Sequence, residues 1–152
     1  MTLLYKILTV IINTVAMLLA ISLVLSIPMM LSSPLTMLSG FMMVAIILYA
    51  WFSNQFSKKV LQQQQVVKKN LKDLVKVNGI VALIFSIVVI VDVIILMGKP
   101  QAYVDAIKGY GVDMPLQTIT TFLYIMLVYG IVLLVHVIWT FILLRKHSSF
   151  FQ

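Results

Sequence analysis

The sequence predicts an all-α integral membrane protein, a four-transmembrane-helix antiparallel bundle with an amphipathic cytoplasmic helix between the second and third spans. Three observations carry that prediction. Hydrophobic residues make up 62% of the 152 and charged residues only 10%, with a mean hydropathy of +1.14. A soluble domain carries about a quarter charged residues, so this chain lacks the polar surface that would keep it in water. The apolar residues gather into four runs near the roughly 20 residues needed to cross hydrocarbon, and nearly all the lysines fall between or beyond those runs. Backbone groups find no water to bond inside a bilayer, so each run is expected to be helical.

The first run covers residues 7–27 and is interrupted only by Thr9, Asn13, Thr14, Ser22 and Ser26. A secretory signal would have a shorter apolar core and a small-residue cleavage site, and Ser26-Ile27-Pro28 is a poor one, so the run reads as a retained helix. Asn13, Ala16 and Ala20 share one face of it, a small-residue surface suited to close helix approach. Residues 28–34 (PMMLSSP) read as a tight hairpin, with two prolines and two serines punctuating apolar sequence. The second run, residues 35–52, carries Trp51 at its end, an aromatic suited to the membrane interface.

Residues 57–77 have a different pattern. Val60, Val67, Leu71, Leu74 and Val75 fall on one face of a helical wheel, and Lys58, Lys69, Lys72 and Lys76 fall opposite. No glycine or proline interrupts the stretch, so the expectation is one basic amphipathic helix against anionic inner-leaflet lipids or a protein partner. The alternative is that the second and third spans both continue into the cytoplasm and turn near residues 62–65, although that glutamine run has no turn chemistry.

The third run, residues 79–97, stops at Gly98-Lys99-Pro100. The outer loop, residues 98–115, reads as a short helix starting at Pro100, with Ala102, Tyr103, Ala106 and Ile107 on one strip and Gly109 just past its end. Gly109-Tyr110-Gly111 resembles the filter signature of potassium channels in three letters only. Ile107-Lys108 stand where threonine and valine precede the filter glycines, Val112 stands where aspartate follows, and a lysine beside a ring of carbonyls repels a cation. The segment reads as a glycine-rich turn. The fourth run, residues 118–144, is the longest.

Charge gives the expected direction. Lys6, Lys58, Lys59, Lys68, Lys69, Lys72, Lys76, Arg145 and Lys146 share one side, and only Lys99 and Lys108 lie on the other, offset by Asp105 and Asp113. The bias puts both termini and the middle loop in the cytoplasm and accounts for the net charge of +7 without nucleic acid; the layout, common among small bacterial membrane proteins, makes a bacterial-type inner membrane the expected location. The chain has no cysteine, which excludes disulfides, thiolate metal sites and cysteine nucleophiles.

Polar residues inside the runs are the candidate site. Asp92 interrupts IVVIVDVIIL, and an aspartate at a helix centre costs about 2.5–3.5 kcal/mol to insert, so it is expected to face a bundle interior or water. It reads as a proton or ion relay, as a structural hydrogen-bonding group, or as a side chain leaning outward toward Lys99. Thr118, Tyr129, His136 and Thr140 fall within about 40° on the fourth helix. Depth arithmetic pairs Asn13 with His136 and Asp92 with Tyr129. Bis-histidine haem ligation would need a second histidine, and His147 lies outside the membrane on the same helix, so no cofactor and no metal are expected. No nucleophile–base or two-carboxylate arrangement is visible, so no enzyme is expected either. The functional expectation is a non-enzymatic accessory, scaffold or interaction subunit of a membrane assembly, with the bilayer and a protein partner or a second copy around it. The alternative is an oligomeric proton-coupled or ion-translocating protein using Asp92 and His136.

Overall fold

A computed structural model describes residues 3–30, 34–108 and 114–152. The chain is helical almost throughout these residues. Helix α1 spans Leu3–Met30, α2 Pro34–Phe56, α3 Lys69–Gly98, α4 Pro100–Lys108 and α5 Leu116–Lys146. A π-helical turn, Ser57–Gln62, extends α2, and a single 3-10 turn, Ser148–Phe150, follows α5. Four of the helices are long and apolar enough to cross a membrane, over Leu3–Pro28, Thr36–Gln62, Lys69–Gly98 and Leu116–Lys146.

The exposed positions of these helices are apolar, the reverse of a water-soluble fold. Leu25 is 76% exposed, Met17 71% and Ile95 62%. Exposed apolar surface on this scale has a large cost in water and none in hydrocarbon, which makes this a multi-pass membrane protein.

α1 packs on α2, α2 on α3 and α3 on α5, and a narrower contact between α1 and α5 closes the bundle. One core runs through Ile12, Ala16, Ile46, Tyr49, Ala50, Phe56, Val60, Val75, Ala82, Leu133, Val137 and Leu144. A smaller one, made by Val89, Val93, Val104, Ile119 and Leu123, seats α4 against α3 and α5. Lipid chains are as apolar as leucine, so contact area alone does not drive this packing, and small residues at the contacts take on the task. Gly79 lies so close to the Phe141 ring that a Cβ there would stand 2.7 Å from Cε1, and one on Gly130 would stand 3.0 Å from Ile90 Cγ1.

Two expectations are corrected. Residues 57–77 do not form one amphipathic helix. The Gln63 amide donates to the Lys58 carbonyl at 3.1 Å, five residues back, and ends the π-helical turn; Gln64 takes a left-handed φ of 52°, and α3 starts only at Lys69. The turn is held from outside. The amides of Val67 and Lys69 donate to the carbonyls of Phe150 and Gln152 at 2.8 and 3.0 Å, and the Gln152 amide returns a bond to Val67 at 3.1 Å. Phe151 stacks on Phe56 with ring centres 6.0 Å apart, and Lys72 Nζ sits 5.6 Å over the Phe151 ring. The C-terminal tail therefore supplies the turn with the partners that the glutamine run lacks. Second, α1 does not stop at Pro28 but runs through it to Met30; the proline forgoes the bond to the carbonyl four residues back, a loss that membrane helices tolerate. The rest of the expected 28–34 hairpin, and the Gly109-Tyr110-Gly111 turn, lie largely or wholly outside the described residues.

Candidate functional site

Polar groups in hydrocarbon need partners, and α1, α2 and α5 assemble a closed set around His136. The imidazole is buried. Its Nε2 lies 3.0 Å from Thr9 Oγ1 and its Nδ1 2.8 Å from the Tyr49 hydroxyl. Tyr49 also donates to Thr140 Oγ1 at 3.0 Å, and Tyr5 meets the same oxygen at 2.9 Å. Thr9 and Thr140 each donate to the carbonyl one turn back, Tyr5 O and His136 O, at 2.8 and 2.7 Å.

Counting hydrogens assigns the donors. Each of the two threonine hydroxyls spends its hydrogen on a backbone carbonyl, so Thr9 accepts from His136 Nε2–H and Thr140 accepts from both tyrosines. His136 Nδ1 is then an acceptor in the neutral ring, and the one Tyr49 hydrogen is shared between it and Thr140. The rings pack as they bond. Tyr5 stacks on the imidazole at 4.9 Å and 11°, and Tyr49 meets it edge-on at 5.8 Å and 79°. Every polar atom of the set is occupied within the bundle, so the arrangement locks three helices together.

The expected Asn13–His136 contact is replaced by Thr9–His136. The Asn13 amide instead donates to the Thr9 carbonyl at 2.7 Å. The reason is register. α1 and α5 meet with Tyr5 against Thr140 and Thr9 against His136, one helical turn away from the alignment that would bring Asn13 to His136. Tyr5 and Tyr49 carry no signal of this role in the sequence, because tyrosine near a span end usually reads as an interfacial anchor.

Asp92 and Tyr129 do not meet. The buried positions of α3, namely Val75, Asn78, Gly79, Ala82, Ser86, Val89 and Val93, form one stripe. Asp92 lies about 90° from its middle and is exposed, and its neighbours Val88, Val91 and Ile95 are exposed apolar residues. Neither the Asp92 nor the Lys99 side chain forms a hydrogen bond or ion pair among the described residues. The Tyr129 hydroxyl is buried and has no partner among them.

The basic residues Lys58, Lys69, Lys72 and Lys76 are distributed over the π-helical turn and the first turns of α3, with Lys72 half-buried and the others exposed. No group of three histidine, aspartate or glutamate side chains able to hold a metal ion occurs among the described residues. Comparison with protein-family models, curated proteins and solved structures finds no match, so the reading of this chain rests on its own geometry.

Proposed function

We propose that this chain is a non-enzymatic subunit of a larger membrane assembly, an antiparallel four-helix bundle inserted with both termini and the 63–68 turn in the cytoplasm. Tyr5 pairs with Thr140 and Thr9 with His136, a register that fits opposite directions for α1 and α5. Nine of the eleven basic residues belong to the end that carries the termini and the turn, which supports the orientation.

One observation carries the reading: the Asp92 carboxylate on the outer surface of the bundle. It lies six residues, about 9 Å, from the end of α3, inside the apolar run and among exposed aliphatic side chains. A carboxylate in hydrocarbon faces a partner or water, and among the described residues of the bundle the Asp92 side chain has no partner. A polar or basic group on a neighbouring polypeptide satisfies it. The ion-translocating alternative lacks a comparable observation, because the His136 bonds close within the bundle and Asp92 faces away from them.

A photo-crosslinking residue at Val88, one turn from Asp92, tests the reading in native membranes. The expected result is a discrete polypeptide adduct there and only lipid adducts from Met17 on α1, with Asp92→Leu abolishing the adduct at Val88. Lipid adducts alone at Val88, or a polypeptide adduct unaffected by Asp92→Leu, would overturn it.

A further inference from the structure

A cleft opens between α3 and α5 at the basic end of the bundle. Lys72, Lys76 and Ile80 follow at four-residue spacing on α3, Phe141 and Arg145 do the same on α5, and Ser148 of the tail completes a volume of ≈ 410 Å³. Its two halves differ. Three cationic side chains and a hydroxyl line the half nearer the 63–68 turn, and Ile80 and Phe141 line the half toward the span. No carboxylate lines it, and Asp73, the acidic residue next to Lys72, is exposed elsewhere on α3. Lys76 and Arg145 are exposed and form no hydrogen bond or ion pair among the described residues. Lys72 lines the cleft with its Nζ 5.6 Å over the Phe151 ring. The apolar wall is built in as well, since Gly79 has no Cβ and leaves the Phe141 ring room against α3.

We propose that this cleft binds the phosphate of an anionic membrane phospholipid, with Lys72, Lys76 and Arg145 around the phosphate and the acyl chains running over Ile80 and Phe141. Basic pockets between membrane helices at the cytoplasmic surface are suited to such headgroups, and guanidinium and ammonium groups both match phosphate oxygens. A free phosphate would use the cations and leave the apolar half without a role. The site is independent of Asp92, and it rests on the proposed orientation only for the leaflet that supplies the lipid.

Native mass spectrometry of the full chain released from neutral detergent micelles tests it, with dioleoylphosphatidylglycerol, dioleoylphosphatidylcholine and inorganic phosphate as probes. Phosphatidylglycerol is expected to stay bound, the zwitterionic lipid of equal chain length to bind more weakly, and inorganic phosphate not to displace the lipid. Lys76→Gln and Arg145→Gln each weaken phosphatidylglycerol about five-fold, whereas Lys58→Gln, on the π-helical turn, leaves it unchanged. Arg145→Lys keeps the charge and retains binding. Ile80→Trp fills the apolar half at an exposed position and weakens the lipid with every charge in place, which separates a shaped site from diffuse attraction and does not depend on the glutamine variants folding. Displacement by inorganic phosphate, equal binding of the zwitterionic lipid, or an equal loss in Lys58→Gln would each overturn the proposal.

Discussion

Replacing Tyr49 with phenylalanine removes one oxygen from the middle of the His136 network and leaves its packing in place. The ring keeps its edge contact with the imidazole and its position against Gly79. Two hydrogen bonds go, the 2.8 Å bond to His136 Nδ1 and the 3.0 Å bond to Thr140 Oγ1. Bonds between membrane helices contribute about 0.6 kcal/mol on average and up to about 1.7. Two of them sharing one hydrogen come to roughly 1–3 kcal/mol, and the upper half of that range is expected because the buried Nδ1 is left without a donor. Thr140 keeps Tyr5 and its own bond to the His136 carbonyl, so it adds little to the loss. The prediction is a destabilisation of about 2 kcal/mol, read as a shift in reversible unfolding by sodium dodecyl sulfate in mixed micelles. Tyr129→Phe is the matched control. It also deletes a buried hydroxyl, but one without a partner among the described residues, so the change is expected to be neutral or stabilising by up to about 1 kcal/mol. Equal losses in the two variants, or a Tyr49→Phe effect below about 0.5 kcal/mol, would refute the network as the lock between α1, α2 and α5.

Gly79→Ala pushes a Cβ to 2.7 Å from Phe141 Cε1 and 3.3 Å from Tyr49 Cε2, and should cost about 1–2 kcal/mol in the same unfolding assay. Gly130→Ala is tight only against Ile90 Cγ1 at 3.0 Å, with Val89 Cγ1 and Ser86 O at ordinary contact distances of 3.5 and 3.6 Å, and should cost less, so a reversed order of the two would contradict the packing. Phe151→Ala removes the stack on Phe56 and the contact with Lys72, and is expected to speed hydrogen exchange at the Val67 and Lys69 amides; unchanged protection there would show that the tail does not hold the turn.

Much of the architecture was legible because hydrocarbon imposes simple conditions on a chain. A backbone that must satisfy its own hydrogen bonds forms helices, and the length of an apolar run then marks each one. The polar candidates were legible for the related reason that an ionisable or amide side chain in such a run is costly and therefore conspicuous. Asp92, His136 and Asn13 stand out in the sequence on that basis.

Their partners did not, since contact depends on register and rotation between helices. A shift of one turn between α1 and α5 exchanges Asn13 for Thr9 beside His136, and a rotation of about 90° on α3 carries Asp92 from the bundle's interior to its surface. The 63–68 turn was equally unreadable locally, because the backbone groups that hold it belong to Phe150 and Gln152, more than eighty residues away. By itself the sequence determined four apolar helices, the asymmetry of their charged ends and the few polar residues between them, all of which follow from the solvent the chain must occupy. Only the tertiary structure decided which of those polar residues are satisfied inside the bundle and which face out of it, because that is set by how the helices lie against one another.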